Sequence, residues 1–501
     1  HPFSMVENEE FKKFVKLLCP NYNIPNRKTL SNSLLSAMHK EILNKITNQL
    51  ANSQAICLTC DGWTNINNTS FYALTAHYID SNTQLKSHLL ECSKFNYKHT
   101  GLNISQWIDK IFKKFHIENK ISAVVTDNAA NIKFAINNLK LRHISCFAHS
   151  LNLVVQNAIN KNIKDLVEKT KIVVQYFKQS SFTLTKLHEM QNNMSKENLK
   201  LKQDVPTRWN STFEMLHRFL INKEPIISAL ALLGYKNTLQ PEEWDLMEHC
   251  VNLLRIFNEI TSEISSEKNV SLSKTTILSR IMIRKVKTYL EDKMLPVTVQ
   301  NLGEGLVEGL SNRFGGRETN DLIAQSIFLD PRFKKQGFGD ENKFHVTYQS
   351  LIARIRTFII QESISQTTQP ILATSSTNSI WKEFDTTISK LQGTYNPSTA
   401  AIVEIDKYLA ELHIPRTDDP LIWWESKKFL YPNLYKIIIW WESRKFLYPN
   451  LYKITLKRLC IPATSVLCER IFSKAGQICN EKRSRLTTKK INQILIVNSN
   501  I

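Results

Sequence analysis

No run of about 18 apolar residues occurs anywhere in the 501-residue chain, so no transmembrane helix is expected and a membrane is not an expected partner. Acidic side chains are scarce beside basic ones, 45 against 65, which leaves a formal charge of +20 and a pI near 9.4. That imbalance points to a polyanionic partner, nucleic acid ahead of an acidic membrane surface. A disulfide framework is missing too: the nine cysteines are odd in number and scattered over a long chain, as suits a reducing compartment. His1-Pro-Phe-Ser has neither an initiator Met nor a signal-peptide pattern, so the chain is read as truncated at its start. Core material is not lacking. A hydrophobic content of 42% excludes global disorder, and the length allows two or three domains or one domain with a large insertion.

Strand patterns are confined to residues 55–147. In Ala55-Ile-Cys-Leu-Thr-Cys-Asp-Gly-Trp-Thr64, alternation predicts a half-buried strand over 55–61 that ends at Asp61. A hairpin partner is expected over 70–79, a third strand over 85–92, a helix over 104–115, a strand over 121–127 and a short one over 144–147. This order is not a simple alternation, so the sheet should be mixed and the domain α/β. Two strands that end in Asp61 and Asp127 can set two carboxylates side by side, where like charges need a divalent cation. Cys57-x-x-Cys60 with Cys146-x-x-His149 suggests a zinc site, but strand residues three apart face opposite sides, so no zinc is expected.

From Ser150 to about residue 415 the period is helical, with loops expected over 191–205, 310–320 and 362–380. Near the C-terminus Ile422-Trp-Trp-Glu-Ser-Lys-Lys-Phe-Leu-Tyr-Pro-Asn-Leu-Tyr-Lys-Ile437 recurs 17 residues later at 439–454, with Lys427 replaced by Arg444. This is a tandem duplication, and two copies are too few for a solenoid. The second copy is expected to take the docking place, leaving 422–437 displaced. Ala463 to Gly476 reads as a helix with Leu467, Ile471 and Ala475 on one face and Glu469 off that stripe.

Seven stretches then fall into one series: Cys60-Asp-Gly-Trp-Thr64, Val125-Thr-Asp-Asn-Ala-Ala-Asn131, Cys146-Phe-Ala-His149, Arg208-Trp-Asn-Ser-Thr212, Phe328-Leu-Asp-Pro-Arg-Phe-Lys334, Pro420-x-x-Trp-Trp424 and Ser465-x-x-x-Glu-Arg-x-Phe-Ser473. Together, in this order, they resemble the hAT superfamily of DNA transposases, in its branch with BED-type zinc fingers. The resemblance implies an RNase H-like mixed-sheet core interrupted by a large all-helical insertion, with a C-terminal helical dimerisation region. The expected boundaries are a helical lead-in over 1–54, the first part of the core over 55–150, the insertion over 151–415 and the dimerisation region over 416–501. By position the resemblance makes Asp61, Asp127 and Glu469 the catalytic and metal-binding triad, holding Mg²⁺ or Mn²⁺. It makes Arg208, Trp209, His149, Lys482, Arg483 and Arg485 contacts to double-stranded DNA, with Trp209 a stacking platform for an unpaired base. Trp440, Trp441 and Phe472 become dimerisation residues.

The implied function is metal-dependent cleavage and strand transfer of DNA in the nucleus by a homodimer or higher oligomer, with no small-molecule substrate. The alternative is a domesticated or decayed, non-catalytic nuclear DNA-binding and dimerising regulator. Two departures from the family pattern bear on this choice. No Cys-x-x-Cys…His-x-x-x-His finger precedes residue 55, and the duplicated segment sits just ahead of the Glu469 helix.

Overall fold

The structure, a computed structural model, describes residues 2–65, 68–266, 269–366, 396–427, 449–478 and 486–500. Five strands, β1 (Ile56–Thr64), β2 (Ser70–Ile79), β3 (Leu85–Lys94), β4 (Ile121–Thr126) and β5 (His143–Ser145), form one sheet in the order β3-β2-β1-β4-β5. β1 runs antiparallel to β2 and β2 to β3, whereas β1 is parallel to β4, so the sheet is mixed. β1 does not end at Asp61. It continues because Gly62 and Trp63 still pair with Tyr72 and Phe71 of β2.

The chain divides into two compact units, one of His1–Ile144, Glu267–Ser273 and Glu318–Ile501, the other of Ser145–Ser266 and Lys274–Arg317. In the first, apolar faces of the helices Leu35–Asn52, Gly101–Phe115, Val466–Ile478 and Thr488–Asn500 join the sheet in one core. Ile46, Leu50, Ile104, Ile108, Ile471 and Leu495 are all buried there. The last helix also covers the backbone of edge strand β3. Asn500 accepts from Leu89 N at 3.0 Å and donates to Leu89 O at 3.1 Å, and Asn492 accepts from Cys92 N at 3.1 Å. An edge strand left open would be a template for a foreign strand.

Beyond β5, the regular elements among the second unit's described residues are helices, from Phe147–Asn162 to Val297–Phe314. The loop expected over 310–320 starts later than its sequence suggests. Leu310 and Phe314 continue the buried stripe of Leu302 and Leu306, which carries the helix to Phe314. Phe314 packs on Phe147 at 4.7 Å, and the Arg317 guanidinium lies over both rings.

Helices Asp321–Phe328, Glu341–Gln366 and Pro397–Ala410 are helical as expected, but they belong to the first unit, which places the unit boundary at residue 317 and not 415. They assemble around the helix Pro449–Leu459. Glu404 accepts from Asn450 N and Leu451 N, both at 2.9 Å, capping that helix's first turn. Arg458 Nε donates to Gln325 Oε1 at 2.8 Å.

The duplication is used in halves. From the first copy, Trp424 is buried, stacks on Tyr408 at 5.2 Å and donates its indole N–H to Leu329 O at 2.9 Å. From the second copy, Leu451, Tyr452 and Ile454 are buried in the helix that follows. Both halves converge on Thr83 in the β2–β3 turn, whose hydroxyl bonds the Glu425 carboxylate and, at 2.6 Å, the Tyr452 hydroxyl. The expectation that 439–454 docks as a whole is therefore corrected: its Trp-Trp place is filled by Trp423 and Trp424. Residues 428–448, with Trp440 and Trp441, lie outside the described residues.

Deleting 422–438 joins Leu421 to one uninterrupted copy, which supplies both docked halves with the single Lys-to-Arg difference. The deletion variant is expected to keep its stability within about 0.5 kcal/mol, as for changes that leave buried contacts intact, and to self-associate as the parent does. Denaturant midpoints and sedimentation check this. An unfolded or dissociated deletion variant would mean that both copies are needed whole.

Candidate active site

Parallel pairing positions the first two carboxylates. Thr59 of β1 pairs with Val125 of β4, so two residues further along, on the same face, Asp61 comes level with Asp127. β4 stops at Thr126, and Asp127 opens the turn beyond it, where its Oδ1 accepts from Ala129 N at 3.3 Å. Asn131, at the start of the next helix, donates to His99 O at 3.1 Å and so ties this turn to the loop after β3.

The third carboxylate comes from the far end of the chain. The helix Val466–Ile478 packs on β1 and β2. Its Cys468 thiol lies 3.2 Å from Thr59 Oγ1, and one turn on Phe472 stacks on Trp63 at 5.9 Å. Helix residues 468 and 472 thus index onto strand residues 59 and 63, which fixes Glu469 in the helix's first turn, where the helix dipole favours a negative charge. Asp61 feels the result. Burial first, then Asp127, then Glu469 push its carboxyl up to about 7, against the pull of the Gly62 N–H that it accepts at 2.8 Å.

Three neighbours went unread in the sequence. Tyr72 faces Gly62 across the strand pair, and a Cβ on Gly62 would stand 3.1 Å from its ring, so glycine is what lets the phenol lie there. Burial first, then the proximity of Cys60, Asp127 and Asp61, raises its phenol, keeping it protonated. His143 bonds Thr126 Oγ1 at 2.8 Å, and burial and Lys133 lower its pKa despite Asp127. Below the pair, Thr59, Thr75 and His77 form a buried hydroxyl–imidazole chain that ends at Cys468. Only the strand alternation hinted at these positions.

The three carboxylates are the donor type that a hard divalent cation prefers, and their mutual repulsion is what such a cation relieves. Among the described residues, no group of three or more His, Cys, Asp or Glu is gathered closely enough to hold a metal ion as it stands. Asp61, Asp127 and Glu469 are thus within electrostatic reach, short of a closed coordination shell.

The other sequence-picked residues lie elsewhere. Trp209 is 1% exposed, its ring against Phe213 and Phe257 and its backbone N–H donated to Asn152 Oδ1 at 2.9 Å. The exposed face expected of a stacking platform is absent in this arrangement, and the ring is core of the helical unit. The same stretch explains its serine and threonine: Ser211 and Thr212 both donate to buried Asp204, at 3.0 and 2.7 Å. Arg208 is exposed at the head of that helix. His149 is half-buried, and its N–H donates to the Cys146 thiol that caps the helix Phe147–Asn162. Phe472, expected at a dimer surface, is 5% exposed because Trp63 covers it. Lys482, Arg483 and Arg485 lie outside the described residues.

A mixed sheet with carboxylates on β1, in the turn after β4 and on a C-terminal helix is carried with a separate helical unit. Family comparisons give the same parts. Residues 59–152 match the ZBED1 RNase-like domain, residues 144–253 the ZBED1 RNase-like helical domain, and residues 435–501 the hAT family C-terminal dimerisation region. The chain is 22% identical over 522 residues to zinc finger BED domain-containing protein 4 of Homo sapiens, covering 100% of this chain and 42% of that protein. It is 25% identical over 532 residues to a putative AC transposase of Zea mays, covering 99% and 63%. It is 24% identical over 544 residues to the putative transcriptional regulator tpeD of Talaromyces stipitatus, covering 99% and 60%. The chain therefore spans about half the length of these relatives. Its parts are thus similar to hAT transposases and to BED zinc-finger proteins: two RNase-like models and a hAT dimerisation model match in order along the chain.

Proposed function

We propose that this chain cuts and rejoins double-stranded DNA as a hAT-type transposase, with Asp61, Asp127 and Glu469 as its catalytic carboxylates. The observation that carries the reading is the rise of Asp61 to about 7, caused in part by the other two members. Parallel pairing of β1 with β4 supports a place for Asp127 near Asp61, and both Asp127 and Glu469 act electrostatically on Asp61. Together they would hold Mg²⁺ or Mn²⁺. When bound, such a cation supplies activation of a water or 3′-hydroxyl and charge stabilisation at the leaving oxygen. Tyr72 keeps its proton next to the pair and can donate to a phosphate oxygen. The dimerisation region supports a homodimer, and DNA as substrate supports action in the nucleus.

The test is cleavage, in Mg²⁺, of a duplex carrying the terminal repeats of the element that encodes the chain. Asp127→Asn and Glu469→Gln should each lower cleavage by about 10³-fold, as loss of an essential charge-stabilising group does, with duplex affinity kept within about twofold because phosphate contacts come from Lys and Arg. Either variant cutting at the parental rate would overturn the triad. A second reading, a non-catalytic DNA-binding regulator, is favoured by the lack of a closed metal group among the described residues and by a relative named as a transcriptional regulator. Binding without cleavage by the parent chain would select it.

A further inference from the structure

Four cations of the first unit meet on a flank that the carboxylate site does not use. Arg142 stands at the head of β5, the strand at the other edge of the sheet from β3, where its carbonyl accepts from Val124 N at 2.8 Å. Arg354 and Phe358 lie one turn apart on the helix Glu341–Gln366, and Lys457 Nζ sits 5.3 Å from the Phe358 ring centroid. Arg458 follows Lys457 on the packed helix Pro449–Leu459, its Nε held by Gln325.

Among the described residues none of these four side chains forms an ion pair, unlike Lys169, Lys171, Lys274, Arg332 and Lys427. Burial and the charges of Arg354 and Arg142 hold Arg458 down to about 10. Burial and Arg142 likewise lower Arg354, and burial with Arg458 and Arg354 lowers Lys457. Asp321 is the carboxylate that offsets Arg354 and Arg458. Four cations that repel one another against a single offsetting carboxylate are stabilised by an anion from outside.

We infer that Arg142, Arg354 and Lys457 form a binding site for the phosphate backbone of duplex DNA, apart from the carboxylates, with the buried Arg458 adding its charge from behind. The site rests on the reading that this chain acts on DNA, and it adds where the duplex is held. Spacing supports a backbone over a single phosphate, since the cations come from a sheet edge and two different helices. Sequence readout is not expected there, because phosphate contacts position without specifying.

The test is fluorescence anisotropy of the full chain with a labelled random-sequence duplex, titrated across a salt series. The variant Arg354→Gln/Lys457→Gln leaves Arg458 and its bond to Gln325 in place. The control, Lys13→Gln/Lys16→Gln, removes the same charge from the exposed N-terminal helix. The expected result is a fall of about 2 in the slope of log affinity against log salt for the first variant and no change for the control, at about one counterion per phosphate contact. An equal effect of both pairs, or an unchanged slope, overturns the site while leaving the DNA reading intact. A changed sedimentation coefficient with an unchanged slope also overturns it, in favour of a protein contact. A parent chain that fails to bind duplex sinks the DNA reading itself.

Discussion

Asp61→Asn should make the metal-free protein more stable above pH 7 while abolishing DNA cleavage. The folded carboxyl titrates near 7, well above its ordinary 3.8, so between those values the folded state keeps a proton that the unfolded chain has released. Its contribution to stability is therefore complete below about pH 4, falls as pH rises, and is lost above about pH 7. Linkage sets that loss at about 4 kcal/mol, from 1.36 kcal/mol per unit. Asparagine carries no charge at any of these pH values, so the variant should exceed the parent by a few kcal/mol at pH 8 and by little at pH 4. Mg²⁺ should close the gap by stabilising the parent alone. Urea unfolding at both pH values, with and without Mg²⁺, reads all of this. Parallel pH profiles for the two proteins would mean that Asp61 is not held by its neighbours.

Asp330→Ala should cost about 3–5 kcal/mol, the usual result of stranding a buried charge. The Asp330 and Arg332 side chains are 0% and 3% exposed and pair at 2.7 Å. Ser273 Oγ donates to the same carboxylate at 2.6 Å, and Arg332 also reaches Val270 O at 3.3 Å, so the pair fastens the strap at 269–273 to the first unit. Asp330→Ala/Arg332→Met should recover most of the loss, because the cost lies in the unpaired guanidinium. Equal destabilisation of the single and double variants, by denaturant midpoint, would place the cost in packing instead. The Phe328–Lys334 stretch is thereby read as a structural clasp. Lys334 belongs to it, donating to Tyr408 O at 2.9 Å beneath the Trp-Trp pair.

The strands were legible because alternation and strand length are local properties of the chain. The packing of the Glu469 helix on β1 was not, since nothing local ties a helix at 466 to a strand at 59. Helical period covered 321–328, 341–361 and 397–410 and missed 362–366, expected as loop, but it could not say what these helices pack against, which is why the insertion was read as ending near 415. Trp209 failed for a related reason. A tryptophan at a helix start carries no sign of whether its ring is covered, and here Phe213 and Phe257 cover it. Repeat copies that differ at one position offer little local ground for choosing between them, and described parts of both are docked.

The core of the first unit is assembled from both ends of the chain, and this has a consequence for its birth on the ribosome. By the time β1 to β5 have emerged, their sheet has an open edge at β3 and a bare place where Cys468 and Phe472 will lie. Several hundred residues must still be translated before the helices Val466–Ile478 and Thr488–Asn500 arrive to fill both. Until then the nascent sheet is a sticky, incomplete half-domain of the kind that chaperones hold. The carboxylate site, too, is completed only by that late helix, so a prematurely terminated chain would carry two of its acids and lack the third.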